Sequence, residues 1–376
     1  MLEFESFSTL ELIGFVVFVA SLFIQLIYYW FIFGRLAFHK SKFNAETDKA
    51  VSIVISARNE YENLKNNLPL ILDQDYNNFE LIVVNHVSDD GTEGLLKEFA
   101  YKYDRLKPVH IREDLNAFSG KKFPLSIGIK SAKNDCLLLT DADCKPSSNQ
   151  WLRQMQDQFD DKTEIVLGYS PYNKSRGILN ALIRWDTLHI GIQYLSFALA
   201  KIPYMGVGRN LSYRRSLFIK NKGFINHYKV SSGDDDLFIG QVANSKNTKI
   251  RVNKESQTTS EPKKSLTSWW KQKRRHLTTG KYYRTKYKVV LGWYSLSQTM
   301  FFISFVFMLA ISQLYYLILG LFLIRMLSQL FLFIKCMSKL GEKQSWFLIP
   351  VYEIVFVVLN PIIAFSNLIL KDKKWK

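Results

Sequence analysis

Apolar residues are spread unevenly along the chain. From Leu12 to Phe33 it reads LIGFVVFVASLFIQLIYYWFIF, with one glutamine and no charge, long enough to cross a hydrocarbon core of roughly 30 Å as a helix. Further apolar mass closes the sequence at 289–311, 314–334 and 346–370, parted by Ser312–Gln313 and by the basic KCMSKLGEK at 335–343. Between the two ends lies a mixed-polarity stretch, enough for one α/β domain with its own core. The pattern therefore predicts a transmembrane anchor over 1–36, a globular domain over 50–260, a basic and aromatic interfacial helix over 261–288 and a membrane region over 289–376 with two or three spans.

Within the middle domain, VSIVISARNE (51–60) is a β-branched run ending in polar residues, followed by a helical pattern through Leu64, Leu68 and Leu72. FELIVVNHVSDDGTEGLLKEFA (79–100) repeats the arrangement, with Ser88 or Asp89 placed to cap a helix starting near Thr92. KPVHIRE gives a third strand, KKFPLSIGIKSA a helix and DCLLLTDAD a fourth strand, apolar throughout and so buried on both faces. Such alternation means α/β architecture, a mostly parallel sheet wrapped by helices. Ligands bind such sheets outside the carboxyl ends of the strands, so Arg58–Glu60, Asn85–Asp90 and Asp141–Asp143 should converge on one crevice.

The net charge of +17 first suggests nucleic acid, but the surplus gathers beside the apolar segments: Arg35, His39, Lys40 and Lys42 after the first, KQKRRHLTTGKYYRTKYK before the second. Flanks of this kind mark the cytoplasmic side and meet anionic lipid, and no nucleic-acid motif accompanies them. The acidic start, with Glu3, Glu5 and Glu11, is unlike a signal peptide. Three cysteines, Cys136, Cys144 and Cys336, form no disulfide or metal-ligand spacing. An outside N-terminus with three full tail spans would leave the terminal KDKKWK outside, against the positive-inside tendency. Pro350 and Asn360–Pro361 are placed to break the last segment into a re-entrant or interfacial hairpin that returns Lys371–Lys376 to the cytoplasm. A multi-span, lysine-rich chain of this kind points to a bacterial inner (plasma) membrane, multi-pass, with the large domain cytoplasmic. Oligomeric state is not legible.

Asp141 and Asp143 follow the apolar LLLT directly. Two carboxylates on a strand-end loop suit a hard divalent ion with open positions for a diphosphate, although D-x-D also recurs by chance and either aspartate can cap a helix near Ser148. GDDDLF (233–238) gathers three acids whose mutual repulsion favours a raised pKa.

With these motifs the chain resembles the family 2 glycosyltransferases, inverting nucleotide-sugar enzymes of GT-A fold, over roughly 50–280. SARNE is similar to the family's nucleotide loop, GKKFPLSIG to its Gly-Lys helix and DAD to its metal-binding D-x-D. GRNLSYRRSLF resembles the acceptor-side segment, GDDDLF the motif that supplies the base, and QKRRH the Gln-x-x-Arg-Trp of membrane-bound members. The resemblance implies a nucleoside site at Ala57, Asn59 and Glu60, with Asn85 and His86 where the family has an acid pair. It implies Lys121 facing the donor, Asp141 and Asp143 holding the nucleotide and a Mg²⁺ or Mn²⁺ ion, and Asn210 on the acceptor side. Asp234 takes the base role, which a slip of one register hands to Asp235; Asp236 is the second acid. Gln272, Arg274, Arg275 and His276 lie by the diphosphate and acceptor.

His276 stands where processive synthases carry tryptophan, and the tail spans are few, so single-sugar transfer from a nucleotide-sugar, UDP-sugar favoured, to a lipid or lipid-linked acceptor is expected. A processive polysaccharide synthase is the alternative enzyme, and a membrane-tethered, non-catalytic binding or scaffold protein the alternative of another class.

Overall fold

In the computed structural model residues 8–41, 43, 48–113 and 120–369 are described. Glu3, Glu5, Lys42 and Lys371–Lys376, all invoked above for topology, lie outside them. The β-branched run at 51–57 becomes the central strand β1 (Val51–Ala57), flanked by β2 (Phe79–His86) and β4 (Cys136–Leu139), with β3 (Leu106–Ile111) beyond β2. These four strands are parallel, and β1 aligns Ala57 with Asn85 while β2 aligns Asn85 with His110. Beyond β4 the sheet reverses: β7 (Leu211–Arg214) is antiparallel to β4 and to β6 (Ile165–Leu167), and β8 (Thr248–Ile250) runs with β6. The order is β3-β2-β1-β4-β7-β6-β8, and a small second sheet pairs β5 (Cys144–Pro146) with β9 (Thr258–Ser260).

Alternation along β1 sends Val51, Ile53, Ile55 and Ala57 into one core beneath helix Tyr61–Leu72, and Val54 into the other. That second core does not stop at the domain edge. Helix Ile178–Leu199 carries Trp185 onto Tyr352 (ring centroids 5.2 Å apart) and Phe333 (5.9 Å), so the sheet's packing runs on into the apolar helices.

Among the described residues four helices are long and apolar enough to cross a membrane: Thr9–Ala37, Thr285–Ile311, Tyr315–Lys339 and Trp346–Asn367. The first passes through a π-helical turn at Tyr28–Phe33. The break expected at Pro350 and Asn360–Pro361 is absent: Ile349–Ile369 is one continuous helix with Pro361 inside it. Pro350 sits in the first turn, where its missing N–H has no partner to lose. The cap of helix Thr92–Lys102 also differs from expectation. Gly91 takes the N-cap at φ 87°, and it is Asp90 that accepts from the Thr92 N–H (3.1 Å); Ser88 and Asp89 are used elsewhere, as described next.

Candidate active site

The parallel strands end in loops that tie to one another. Asn59, in left-handed conformation (φ 56°), accepts the Asp89 N–H on Oδ1 (2.9 Å) and donates its own N–H to Ser88 Oγ (2.9 Å). The Tyr61 N–H donates to Asp90 Oδ2 at 2.9 Å, so the loops after β1 and β2 are tied together. Glu60 accepts from Asn63 Nδ2 (2.5 Å), and burial raises its pKa. Asn85 and His86 complete β2 and are buried; Asn85 Oδ1 has no hydrogen-bond partner among the described residues.

After β4, Asp141, Asp143 and Cys144 bring ligand atoms within 4.8 Å of one another. Burial pushes the Cys144 thiol well up, so it stays protonated and the usable donors are two carboxylates, an oxygen set that fits a hard divalent ion. Lys121 pairs with Asp141. Burial opposes charge on both, yet the carboxylates of Asp141, Asp234 and Asp235 hold Lys121 above its ordinary value, while Lys121, Arg209 and Arg275 hold Asp141 below. Asp143 is raised, by burial and then by Asp141.

Opposite lies the acidic triplet. Asp235 caps helix Asp236–Val242, and its carboxylate accepts from the Gly208 N–H on Oδ2 (2.7 Å) and the Asp236 N–H on Oδ1 (2.7 Å). Burial and the neighbouring acids raise Asp234 and Asp235 to about 6. Asp234, Asp235 and Lys121 line one recess with Thr140 and Gly208. Asp236 turns away and accepts from the hydroxyls of Thr279 and Tyr283 (2.9 Å).

The loop carrying the triplet is hung on Lys122. This buried ammonium donates to the carbonyls of His227, Val230 and Ser232, each at 2.7 Å. Beside it Gly120 sits at φ 93°, where an added Cβ would meet the Ser231 carbonyl at 2.6 Å.

Helix Leu266–Leu277 closes the cleft. Gln272 Nε2 donates to Tyr172 OH (3.2 Å), and Arg209 lies 4.2 Å over that same ring. Arg275 has its Nε buried with no hydrogen-bond partner among the described residues, and its charge acts on Asp141. Arg274 turns the other way, donating from Nε to Asn367 Oδ1 (2.8 Å), and His276 is exposed.

A mostly parallel sheet thus carries a carboxylate pair at one strand end, a basic helix across it and an acidic helix N-terminus facing it. Residues 52–221 match the model of glycosyl transferase family 2, and 147–360 that of glycosyl transferase family group 2. The chain belongs to glycosyltransferase family 2.

Among relatives of this transferase, the probable glycosyltransferase YdaM of Bacillus subtilis is 28% identical over 246 residues, 63% of this chain and 56% of YdaM. The poly-beta-1,6-N-acetyl-D-glucosamine synthase of Staphylococcus epidermidis is 33% identical over 121 residues, 31% of this chain and 28% of the synthase. The chain therefore spans about half the length of the first of these curated relatives and less of the second. Among solved structures, the mannosyltransferase PcManGT from Pyrobaculum calidifontis, in complex with GDP-Man and Mn²⁺, superposes with a TM-score of 0.57 at 17% identity over 88% of this chain and 98% of that one. A likeness at that identity shows the fold, which is GT-A.

The transferase cleft brings together Glu60, Lys121, Asp141, Asp143, Asp234, Asp235 and Arg275. Two expected residues do not face it. Asn210 is fully buried: Oδ1 accepts from Trp151 Nε1 (3.0 Å) and Nδ2 donates to the carbonyls of Tyr169 (2.9 Å) and Ser256 (2.8 Å), which spends the side chain on tying helix Trp151–Gln156 to the segments at Tyr169 and Ser256. Arg274 is held by the last helix. Sequence reasoning missed Arg209, which directly precedes Asn210 and whose carbonyl accepts from Thr140 and Thr258 hydroxyls at 2.9 and 2.8 Å. It also missed Lys122, whose only signal was a second lysine beside Lys121.

Proposed function

We propose that this transferase moves one sugar, with inversion, from a UDP-sugar to a lipid or lipid-linked acceptor at the cytoplasmic face of a bacterial inner membrane. What carries the reading is the arrangement of the cleft: Asp141 and Asp143 with Lys121, Arg209 and Arg275 at one end, Asp234 and Asp235 at the other, beside a helix that packs on apolar segments. Asp141 and Asp143 would hold Mg²⁺ or Mn²⁺, which supplies positive charge to the donor's diphosphate. The buried, unpartnered Asn85 Oδ1 matches the single ring N–H of uracil.

Chemistry at the other end needs a base. The acceptor oxygen attacks the anomeric carbon, the bond from that carbon to the diphosphate oxygen breaks, and the acceptor proton passes to a carboxylate. Asp235 fits this role best, since two backbone N–H groups fix its orientation and leave a lone pair on each oxygen to accept. Asp234 sits nearer the donor end, where its charge acts on Lys121. Arg275 and Lys121 take up the negative charge that builds on the leaving diphosphate.

Purified full-length protein offered UDP- and GDP-sugars with and without Mn²⁺ tests the donor site. Metal-dependent release of UDP, stimulated by a lipid extract and lost in Asp143→Ala, is expected; release from GDP-sugars alone would overturn the nucleotide assignment. A processive reading is favoured by the likeness to the poly-beta-1,6-N-acetyl-D-glucosamine synthase, and would appear as product whose length grows with time.

A further inference from the structure

Composition alone makes Trp346–Asn367 a fourth crossing helix. Its surroundings at the two ends do not fit a crossing. Just before it, the chain is fastened to the catalytic domain: Gln257 Nε2 donates to the Leu340 carbonyl (2.8 Å), and Glu342 pairs with Arg184 (2.5 Å) and accepts from Tyr169 OH (3.1 Å). At its far end the helix is fastened to the domain again. Arg274 Nε donates to Asn367 Oδ1 (2.8 Å), and Asn367 Nδ2 donates to the Arg274 carbonyl (3.1 Å). Arg274 belongs to the helix that closes the cleft, whose adjacent Lys273 pairs with Asp186 of the domain and whose Gln272 reaches Tyr172.

Between these fastenings the segment packs on the neighbouring apolar helices. Glu353 accepts from Gln298 Nε2 at 2.6 Å and from Arg325 Nη1 at 2.6 Å. Gln298 lies one turn beyond Tyr294, whose hydroxyl meets His189 Nε2 of the domain at 3.1 Å, so Glu353 lies close beneath the domain, and its neighbour Tyr352 stacks on Trp185 (ring centroids 5.2 Å). Had the helix continued across, Asn367, fourteen residues on (367 − 353), would lie about 21 Å further from the domain. Instead Phe356 meets Trp269 (ring centroids 6.3 Å) and Lys273 (5.3 Å to the ring centre), and Asn367 meets Arg274.

We infer that the segment following Leu340 does not cross: it runs past Glu353 and along helix Leu266–Leu277, so that both its ends lie on the catalytic domain's side and its outer face is a surface for the acyl chains of that leaflet. The helix is two-faced in the matching way. Tyr352, Glu353, Phe356 and Ile363 are buried against protein, while Val351, Ile354, Val358, Ile362 and Phe365 form an exposed stripe at three- and four-residue spacing. That stripe is wholly apolar, so hydrocarbon is its fitting partner. Glu353 is the one acid in the helix, and the buried Arg325 guanidinium is what lets it lie buried among apolar helices. Asn367 therefore shares a side with the catalytic domain, and three of the described long helices cross.

Sidedness tests this without reference to donor or acceptor. Cys136, Cys144 and Cys336 are all buried, so full-length protein can carry a single added reporter cysteine: Lys343→Cys on the domain side, Gln313→Cys at the opposite turn, or a cysteine appended after Lys376. Impermeant maleimide is applied to right-side-out and to inverted vesicles, with detergent-opened vesicles as the full-labelling reference. The appended cysteine is expected to label in the same vesicles as Lys343→Cys and to be protected where Gln313→Cys reacts. Labelling together with Gln313→Cys would overturn the inference, as would protection from both sides until detergent is added. A cleavable tag appended after Lys376 and digested from each side gives a second readout with the same two outcomes.

Discussion

Asp234 and Asp235 are neighbours in sequence and differ in what holds them. Asp235 is clamped by the Gly208 and Asp236 N–H groups, whereas Asp234 is buried beside Asp235 and within the field of Lys121 and Asp141. Asp235→Asn is accordingly expected to lower kcat by about 10²- to 10⁴-fold with little change in donor KM, and Asp234→Asn to raise donor KM more than it lowers kcat; steady-state kinetics on both variants decide it. Both carboxyls titrate near 6, so the base is protonated below that pH and ionised above. The kcat/KM profile is expected to fall as pH drops through about 6. Linkage has the opposite sign. With folded pKa values above the usual aspartate range, the stability these groups contribute is present at low pH and lost as pH rises through 6, so Asp234→Asn is expected to raise Tm at neutral pH while impairing turnover. Much of this was legible in sequence: a carboxylate pair after LLLT and three acids at a helix start announce their chemistry by residue type. Arg209 and Asn210 were not, because adjacent residues approaching a strand face opposite ways and only the fold says which one meets the cleft.

Strand ends set the position of these residues, and one buried lysine sets the position of the acidic loop. Lys122→Met removes three charged hydrogen bonds to carbonyls, and is expected to cost at least about 2 kcal/mol of stability and to reduce kcat through displacement of Asp234 and Asp235. Thermal unfolding and kinetics on the same preparation check both. Gly120→Ala, forced into a φ of 93° against Ser231, should behave alike, whereas Gly280→Ala, with open space around it, should not. The first four strands were legible because long β-branched and apolar runs are exposed to little else that could explain them. The three-residue strands β5, β6, β8 and β9 were not, since their pairing depends on partners distant in sequence, and the cap at Gly91 was passed over for nearby side chains with better capping chemistry.

At the scale of the whole molecule, the domain and the apolar helices share one core, and a charged cluster of Gln25, Gln298, Arg325, Gln329 and Glu353 joins all four long helices. Glu353→Ala strands a buried guanidinium and is expected to lower the detergent-solubilised Tm strongly, while Arg325→Met with Glu353→Leu recovers much of the loss; thermal unfolding of the three proteins checks it. The membrane segments were legible from length and polarity alone; for the last one the sequence offered a hairpin broken at Pro350 and Asn360–Pro361, whereas Ile349–Ile369 is one helix, because a proline in the first turn or beside packed neighbours need not break it. A catalytic cleft built onto such a base makes the acceptor the central question. The most direct measurement is transfer of radiolabelled sugar from UDP-sugar, with Mn²⁺, into organic-extractable lipid by purified full-length protein beside Asp235→Asn. One labelled product of fixed size, absent in the variant, is the predicted result; label that stays with the nucleotide, or that accumulates in a growing water-soluble polymer, would contradict it.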